Sequence, residues 1–433
     1  MQREKEGSIF VRQKKTTTTH SKHHKKHHLF PTKAPYKILI ILLSLIAAAF
    51  MCMVIVVDAF PADLTLSMIA VMLAVLIFSC LLFASEKRYK RVLGLFLAII
   101  YIAVFSVAGN FMGSTYAMFN KISDSGTKAT GPAAKKVDIC EETFNVYLTG
   151  IDQWASEKGL DLERSDVNML VTINPQTHKI LLTSIPRDTY VKLHTAQQMD
   201  KLTHTGIYGV EETLTTVEDW LGIDINYYAK MNYTAARDII DAMGGIDIYS
   251  PVEFYSSIKG YHYKQGWNHL TGKRALFFAR ERKSFEGQDE VRVENQQRVL
   301  KAIIKKMTSS TTLLTKYGNI MDAAGDNLQT NFDTKDMKEL VKMQLTDLAE
   351  WNVETQKIEG NPDQDYCASL SSKNRYDIFR PSDESVEACL KKIESVKIVP
   401  EEDMASLRNK HKSFFINAIK RIMKKEEEVA DEQ

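Results

Sequence analysis

Residues 180–190 read ILLTSIPRDTY. The first half is a mostly apolar run, broken only by Thr183 and Ser184, with the length and branched content of a strand buried on both faces. It runs straight into a proline, an arginine and an aspartate. An Arg187–Asp188 pair at a strand end is, on its own, an ordinary salt bridge. It becomes something else only if the fold brings more charge to the same place.

The flanking sequence does so. VNMLVTI alternates as a strand, NPQT supplies turn residues, and HKILLTSI follows as the next strand. A hairpin folded at 174–177 predicts Asp166 opposite Ile185 and Arg164 opposite Arg187. One strand earlier, FNVYLTGID alternates up to Gly150, with Asp152 just beyond its end. Asp152, Arg164, Asp166, Arg187 and Asp188 are therefore expected at one end of one sheet. Five charges exceed what a single salt bridge explains.

Downstream, GVEETLTTVEDWLGI and YTAARDIIDAMGG read as helices, the second stopping at Gly244–Gly245, and IDIYS as a short strand. ALFFARER reads as a further strand, with Arg280 and Arg282 on the side of Leu276 and Phe278 and Glu281 on the other. Paired arginines repel unless an anion lies between them, and their forks match phosphate oxygens. In the long helical stretch DEVRVENQQRVLKAIIKKMTS, Val299, Leu300, Ile303, Ile304 and Met307 form one apolar stripe. Continued toward the N-terminus, the stripe carries Asp289, Arg292 and Gln296. Polar groups on a core-facing stripe are costly unless they line a wet or liganded cleft or form a buried ion-pair network. Several arginines beside two or three carboxylates suit a diphosphate held partly by Mg²⁺. No P-loop, His/Cys metal motif or GxSxG elbow appears in the sequence.

Interleaved strands and helices imply an α/β sandwich with a central mixed sheet over residues 143–398. The chain has 433 residues and a net charge of only +2, but the charge is unevenly spread. Residues 1–37 are crowded with His and Lys, with acid only at Glu4 and Glu6, and are expected to be a disordered basic tail. Its HSKHHKKHH tract has metal-binding composition, but a basic cytoplasmic tail is the preferred reading. Three apolar runs, 38–57, 64–84 and 92–108 extended to 112, are each about a bilayer's thickness as helices. Residues 113–142 read as a juxtamembrane linker and 399–433 as a charged, solvated helical tail. Cys52 and Cys80 lie in the apolar runs, Cys140 near the membrane; Cys367 and Cys389, the only pair in the folded domain, leave a disulfide open.

RSD at 164–166, SIPRDTYV at 184–191, ARER at 279–282 and DEVRVENQQRV at 289–299, in this order, resemble the LytR-CpsA-Psr family of Gram-positive bacteria. The resemblance implies an α/β sandwich that binds a polyprenyl pyrophosphate lipid. It further implies transfer of a phosphate-linked glycopolymer, such as teichoic acid or capsule, to peptidoglycan. By motif, Asp152 and Asp166 correspond to the Mg²⁺-binding aspartates, and Arg164, Arg187, Arg280 and Arg282 to the pyrophosphate-binding arginines. Arg292 and Gln296 match positions on the long helix, Lys201 matches the lysine of a DKI motif, and Asp289 matches the proposed general base. Arg187 and Arg292 are expected to assist catalysis as well. Two other readings are a lipid-pyrophosphate binder or hydrolase and a membrane-bound attenuator of transcription. Nucleic acid is not an expected partner: the basic tail has no helix-turn-helix pattern, and the large domain is expected across the membrane from DNA.

The expected orientation follows from the short loops. DAFPAD carries two aspartates and no base, whereas SEKRYKR carries Lys87, Arg88, Lys90 and Arg91. The N-terminus is thus predicted inside and everything after the third helix outside, at the cell membrane. An enzyme reporter that works only outside the cytoplasm should be active when fused after Val399; activity solely from a cytoplasm-restricted reporter refutes the orientation.

Overall fold

The computed structural model describes residues 34–57, 62–85, 87–124, 133–151, 164–257, 259–285, 288–347, 349–370 and 373–399. The HSKHHKKHH tract, most of the basic tail, and the charged tail beyond 399 lie outside the described residues. Three helices open the structure: α1 (Ala34–Val57), α2 (Ala62–Ala84) and α3 (Arg88–Asp124). All three are long and apolar enough to cross a membrane. Pro35 sits in the first turn of α1, where its missing N–H costs nothing. Helix α3 runs twelve residues into the segment expected to be linker. Propagating an existing helix adds a hydrogen bond per residue without a new nucleus, so a sequence lacking strong period still extends it.

Packing divides the chain into two units, one of the described residues up to 48 with 70–103, the other of 49–69 with 104 onward. In the first, Tyr36 stacks on Phe83 at 5.3 Å, and Phe83 closes on Gly94, where a Cβ would lie 2.9 Å from its ring.

The second unit contains the sandwich. Its elements in chain order begin with β1 (Phe144–Ile151), β2 (Ser165–Asn174), β3 (Lys179–Ile185), β4 (Tyr190–Lys192), β5 (Met199–Lys201), α4 (Leu202–Thr205) and α5 (Val210–Leu221). Then come β6 (Tyr227–Asn232), α6 (Tyr233–Ala242), β7 (Ile246–Ser250), β8 (Phe254–Tyr255), β9 (His262–Tyr263), β10 (Gly266–Leu270) and α7 (Gly272–Arg280). Helices α8 (Gln288–Met307) and α9 (Ser310–Ala324), β11 (Leu328–Thr330) and α10 (Thr334–Asp347) follow. The last elements are β12 (Asn352–Lys357), β13 (Gly360–Asp365), β14 (Tyr376–Pro381) and α11 (Asp383–Lys397).

Six strands form the central sheet in the order β11–β6–β1–β2–β3–β12. The β1/β6 and β3/β12 pairs are parallel, and the other three are antiparallel. The sheet is mixed, as expected. Alternation along each strand sends Tyr147, Leu170, Leu181 and Tyr228 to one face, where α5 and α11 cover them through Leu214, Val217 and Ile393. Val146, Met169, Leu182 and Tyr227 go to the other face, packed by Leu300 and Ile304 of α8 and Leu340 of α10. Both faces are covered, which is why ILLTSI carries so few polar side chains.

The hairpin differs from expectation by two residues. Asn174 pairs with Lys179, and its side-chain oxygen accepts from the backbone N–H of Gln176 and Thr177 at 3.0 and 3.1 Å. His178 completes the reversal with a positive φ of 52°. The turn is a four-residue loop rather than a tight closure at 174–177, so Asn168, not Asp166, stands opposite Ile185. Continuing that register puts Asp166 opposite Arg187.

ALFFARER is not a strand. It is helix α7, with Ala275, Leu276, Phe278 and Ala279 buried at helical spacing. Its first residue must be glycine, because a Cβ on Gly272 would come within 2.1 Å of the Arg237 carbonyl oxygen. Leu, Phe and Ala fit either period over so short a run, and tertiary packing against α6 and α8 chose the helix.

No disulfide forms between Cys367 and Cys389: both are buried free thiols. The Cys389 sulfur lies 3.5 Å from the Lys357 carbonyl, while Cys367 lies beside Asp200 and His204. Burial and then the Asp200 carboxylate push the Cys367 thiol up to about 11. Thiol titration of the denatured, unreduced chain should count five thiols, none of them in a disulfide. Three would overturn the assignment.

Candidate functional site

The ends of β2 and β3 build one wall. Arg187 Nη1 donates to Asp166 Oδ1 at 2.6 Å, as the observed register requires. Arg187 Nε lies 3.4 Å from Asp188 Oδ2, and Lys201 Nζ lies 3.1 Å from Asp188 Oδ1. The charges read from SIPRDTY thus form a chain, Asp166–Arg187–Asp188–Lys201, not one pair.

Helices α7 and α8 bring the opposite wall. Arg280 ends α7, Arg282 follows just after the extended C-cap Glu281, and Arg292 and Gln296 stand one turn apart on α8. A cavity of about 330 Å³ lies between the walls, lined by Arg187, Arg280, Arg282, Lys283 and Arg292 with Asp166 as its only carboxylate among the described residues. Arg280 is held over the ring of Tyr233 at 4.6 Å, so its charge is aimed by an aromatic face. Among the described residues, five cations stand around one carboxylate, a set whose forks and charges suit the oxygens of a multiply charged anion.

The arginines are set by a buried acid. Glu281 has no exposed surface, and its carboxylate accepts from the Ser257 N–H at 2.7 Å, the Ser257 hydroxyl at 2.9 Å, the Arg282 N–H at 3.1 Å and the Ser284 N–H at 3.2 Å. Burial alone would raise its titration, but these donors, with Ser256, outweigh it and hold the carboxyl below the ordinary range. It clamps the segment carrying Arg282 and Lys283 to the loop between β8 and β9. A second buried network supports Lys201: Asp200 Oδ1 accepts from His204 Nδ1 at 2.6 Å, and Asp200 Oδ2 from the Ser369 N–H at 2.8 Å. Burial raises the Asp200 carboxyl, and the His204 and Ser369 bonds more than compensate, leaving it lowered.

A second cavity, of about 530 Å³, shares Asp166, Arg187, Arg292 and Gln296 with the first and extends toward β12 and the β13/β14 ribbon.

Of the residues singled out from the sequence, Asp166, Arg187, Arg280, Arg282, Arg292 and Gln296 meet around the cationic cavity. Arg280 and Arg282 arrive from a helix end, not from one face of a strand. Lys201 pairs with Asp188 and lines neither cavity, and Arg164 is exposed and lines neither. Asp289 lies on the first turn of α8, its side chain outside the described residues, as is all of Asp152. Lys283, Tyr233, Ser257 and Glu281 were not anticipated as parts of the site. Lys283 directly follows the RER motif and was legible there; Tyr233 and Ser257 come from distant elements and carry no local signal.

The profile of the LytR_cpsA_psr family matches residues 112–395. The chain belongs to this family. It is 34% identical over 260 residues to the polyisoprenyl-teichoic acid–peptidoglycan teichoic acid transferase TagU of Bacillus cereus, covering 58% of this chain and 83% of that protein. The Bacillus subtilis TagU is 32% identical over 260 residues, covering 58% and 81%. Among solved structures, B. subtilis TagV superposes with a TM-score of 0.50 at 28% identity, covering 60% of this chain and 99% of that one. The family assignment spans all the charged residues that converge here.

Glu281→Gln should expose the role of the clamp. An amide would turn an NH₂ toward the N–H donors now satisfied by the carboxylate, at a cost of about 1–3 kcal/mol for groups left unpaired. Because the carboxyl is lowered in the folded state, its stabilisation is complete above the unfolded carboxylate value and fades only as pH falls through the depressed one. The variant should therefore unfold earlier than the parent at pH 7, with the difference shrinking in strong acid. Equal unfolding midpoints at pH 7 would refute the clamp.

Proposed function

We propose that this chain transfers a phosphate-linked anionic glycopolymer, of teichoic-acid or capsule type, from a polyprenyl pyrophosphate carrier to peptidoglycan. The observation that carries the reading is the set of Arg187, Arg280, Arg282, Lys283 and Arg292 around one cavity beside Asp166. That set supplies the charge and the planar forks that a diphosphate's oxygens take. The names of the relatives supply the substrate class.

In this reading the pyrophosphate lies among the arginines, which neutralise its oxygens as charge shifts to the departing lipid phosphate. Tyr233 and Glu281 keep Arg280 and Arg282 aimed before substrate arrives, so little reorganisation is needed on binding. Asp166 would hold Mg²⁺, with Asp152 as its partner. The fit is a hard carboxylate on the wall of a phosphate-sized cavity, with Arg187 already engaging one oxygen. When bound, the ion supplies Lewis-acid stabilisation to phosphate oxygens. Asp289, on the first turn of α8, is assigned as the base that takes the acceptor's proton, three and seven residues before Arg292 and Gln296. The loop charges support an extracellular position for the domain, on the side where peptidoglycan is.

Binding and chemistry separate in two variants. Asp289→Asn keeps size and polarity but cannot accept the proton, so single-turnover transfer should fall by about 10²–10⁴-fold with lipid affinity nearly unchanged. Arg280→Ala should lose lipid affinity and rate together. Equal loss of binding in both, or parental transfer by Asp289→Asn, refutes the base assignment. A parent protein that binds the lipid and releases polymer only to water would refute transfer.

A further inference from the structure

The larger cavity differs in kind from the arginine site it adjoins. Beyond the shared wall its lining carries the carboxylates of Asp188, Glu290, Glu359 and Asp377 against a single base, Lys357. Lys357 is itself engaged with Glu290 at 3.7 Å and Glu359 at 3.5 Å. A diphosphate is repelled there. Acceptor oxygens beside apolar surface from Ile358, Pro362 and Phe379 suit the hydroxyls and ring faces of an uncharged sugar instead.

At the β2 end of this cavity stands Asn168, only 3% exposed. Its Oδ1 accepts from the Tyr147 hydroxyl at 2.9 Å and the Ser165 hydroxyl at 2.8 Å. The amide is oriented with its oxygen toward these two hydroxyls and its nitrogen toward the cavity side. Asn168 Nδ2 is then left buried without a partner among the described residues. Such a group is expensive unless a ligand satisfies it.

We propose that the 530 Å³ cavity is the subsite for the acceptor glycan, a saccharide of one or two residues held by Asn168 Nδ2 and the surrounding carboxylates. This rests on the transferase reading above and adds the location of the second substrate. The two cavities meet at Asp166, Arg187, Arg292 and Gln296, so a sugar hydroxyl seated in one reaches the phosphorus held in the other. Its oxygen forms the new bond to the sugar-side phosphorus, and the bond to the bridging oxygen breaks. The lipid phosphate leaves with that oxygen and its electron pair, and the hydroxyl proton passes to the base.

The test reads acceptor binding directly, with no donor present. The full-length protein in detergent is titrated with a soluble peptidoglycan oligosaccharide, and separately with polyprenyl pyrophosphate, bare and bearing one sugar. Asn168→Asp retains the acceptor for both hydroxyls while removing the free donor; Glu359→Ala, at the exposed rim, serves if the first fails to fold. Either should weaken oligosaccharide binding about tenfold, the worth of one well-placed hydrogen bond, and change both lipid affinities less than twofold. Loss confined to the sugar-bearing lipid would show that the cavity holds the donor's saccharide and overturn the proposal. Unchanged binding of all three ligands by folded variants would overturn it as well. A parent that binds the oligosaccharide but never receives polymer on it would defeat the transferase reading while leaving the subsite standing.

Discussion

The 2.6 Å ion pair between Asp166 and Arg187 is the contact on which the site depends. It ties the start of β2 to the segment just after β3 at the wall common to both cavities. It exists because the hairpin loop has four residues. A closure two residues tighter would put Asp166 opposite an apolar Ile185 and leave the arginine facing Arg164. Every other charge takes its place relative to this pair: Asp188 passes the network on to Lys201, while Arg292 and Gln296 of α8 close the site from across.

The arginines are costly neighbours, and the fold keeps them together with groups that are themselves buried. Glu281 offers its carboxylate to several donors at once and thereby fixes the backbone between two arginines whose mutual repulsion would otherwise spread it. Tyr233, at the first turn of α6, places a ring under Arg280. Neither device pairs an arginine with an acid.

Two adjoining cavities of opposite charge character give the site a direction. A diphosphate is drawn to the arginine side and excluded from the carboxylate side, where an uncharged sugar loses nothing. Membership of the LytR_cpsA_psr family and the arrangement of charges agree on a reaction that joins a phosphorylated donor to a hydroxyl acceptor. The three apolar helices that precede the domain are consistent with a lipid-borne donor delivered at a bilayer.

The mixed sheet and its covering helices were legible in the sequence, because VNMLVTI alternates every two residues, ILLTSI is an apolar run suited to burial on both faces, and the intervening segments repeat every 3.6. So were the three apolar helices and the α8 stripe bearing Arg292 and Gln296, since twenty residues of unbroken period leave little choice. The charged residues of SIPRD and RER were visible as a group. Their geometry was not. The hairpin register turned on Asn174 capping two backbone N–H groups, a local hydrogen-bond choice that residue types alone do not dictate. ALFFAR is too short for its period to tell helix from strand, and only contact with α6 and α8 decided for helix. Cys367 and Cys389 are an obvious pair by count, yet one settled beside Asp200 and the other beside Lys357. Tyr233, Ser257 and Asn168 entered the site from separate elements, because the side chains that aim a charge or close a cavity are chosen by proximity in space, which sequence spacing does not encode.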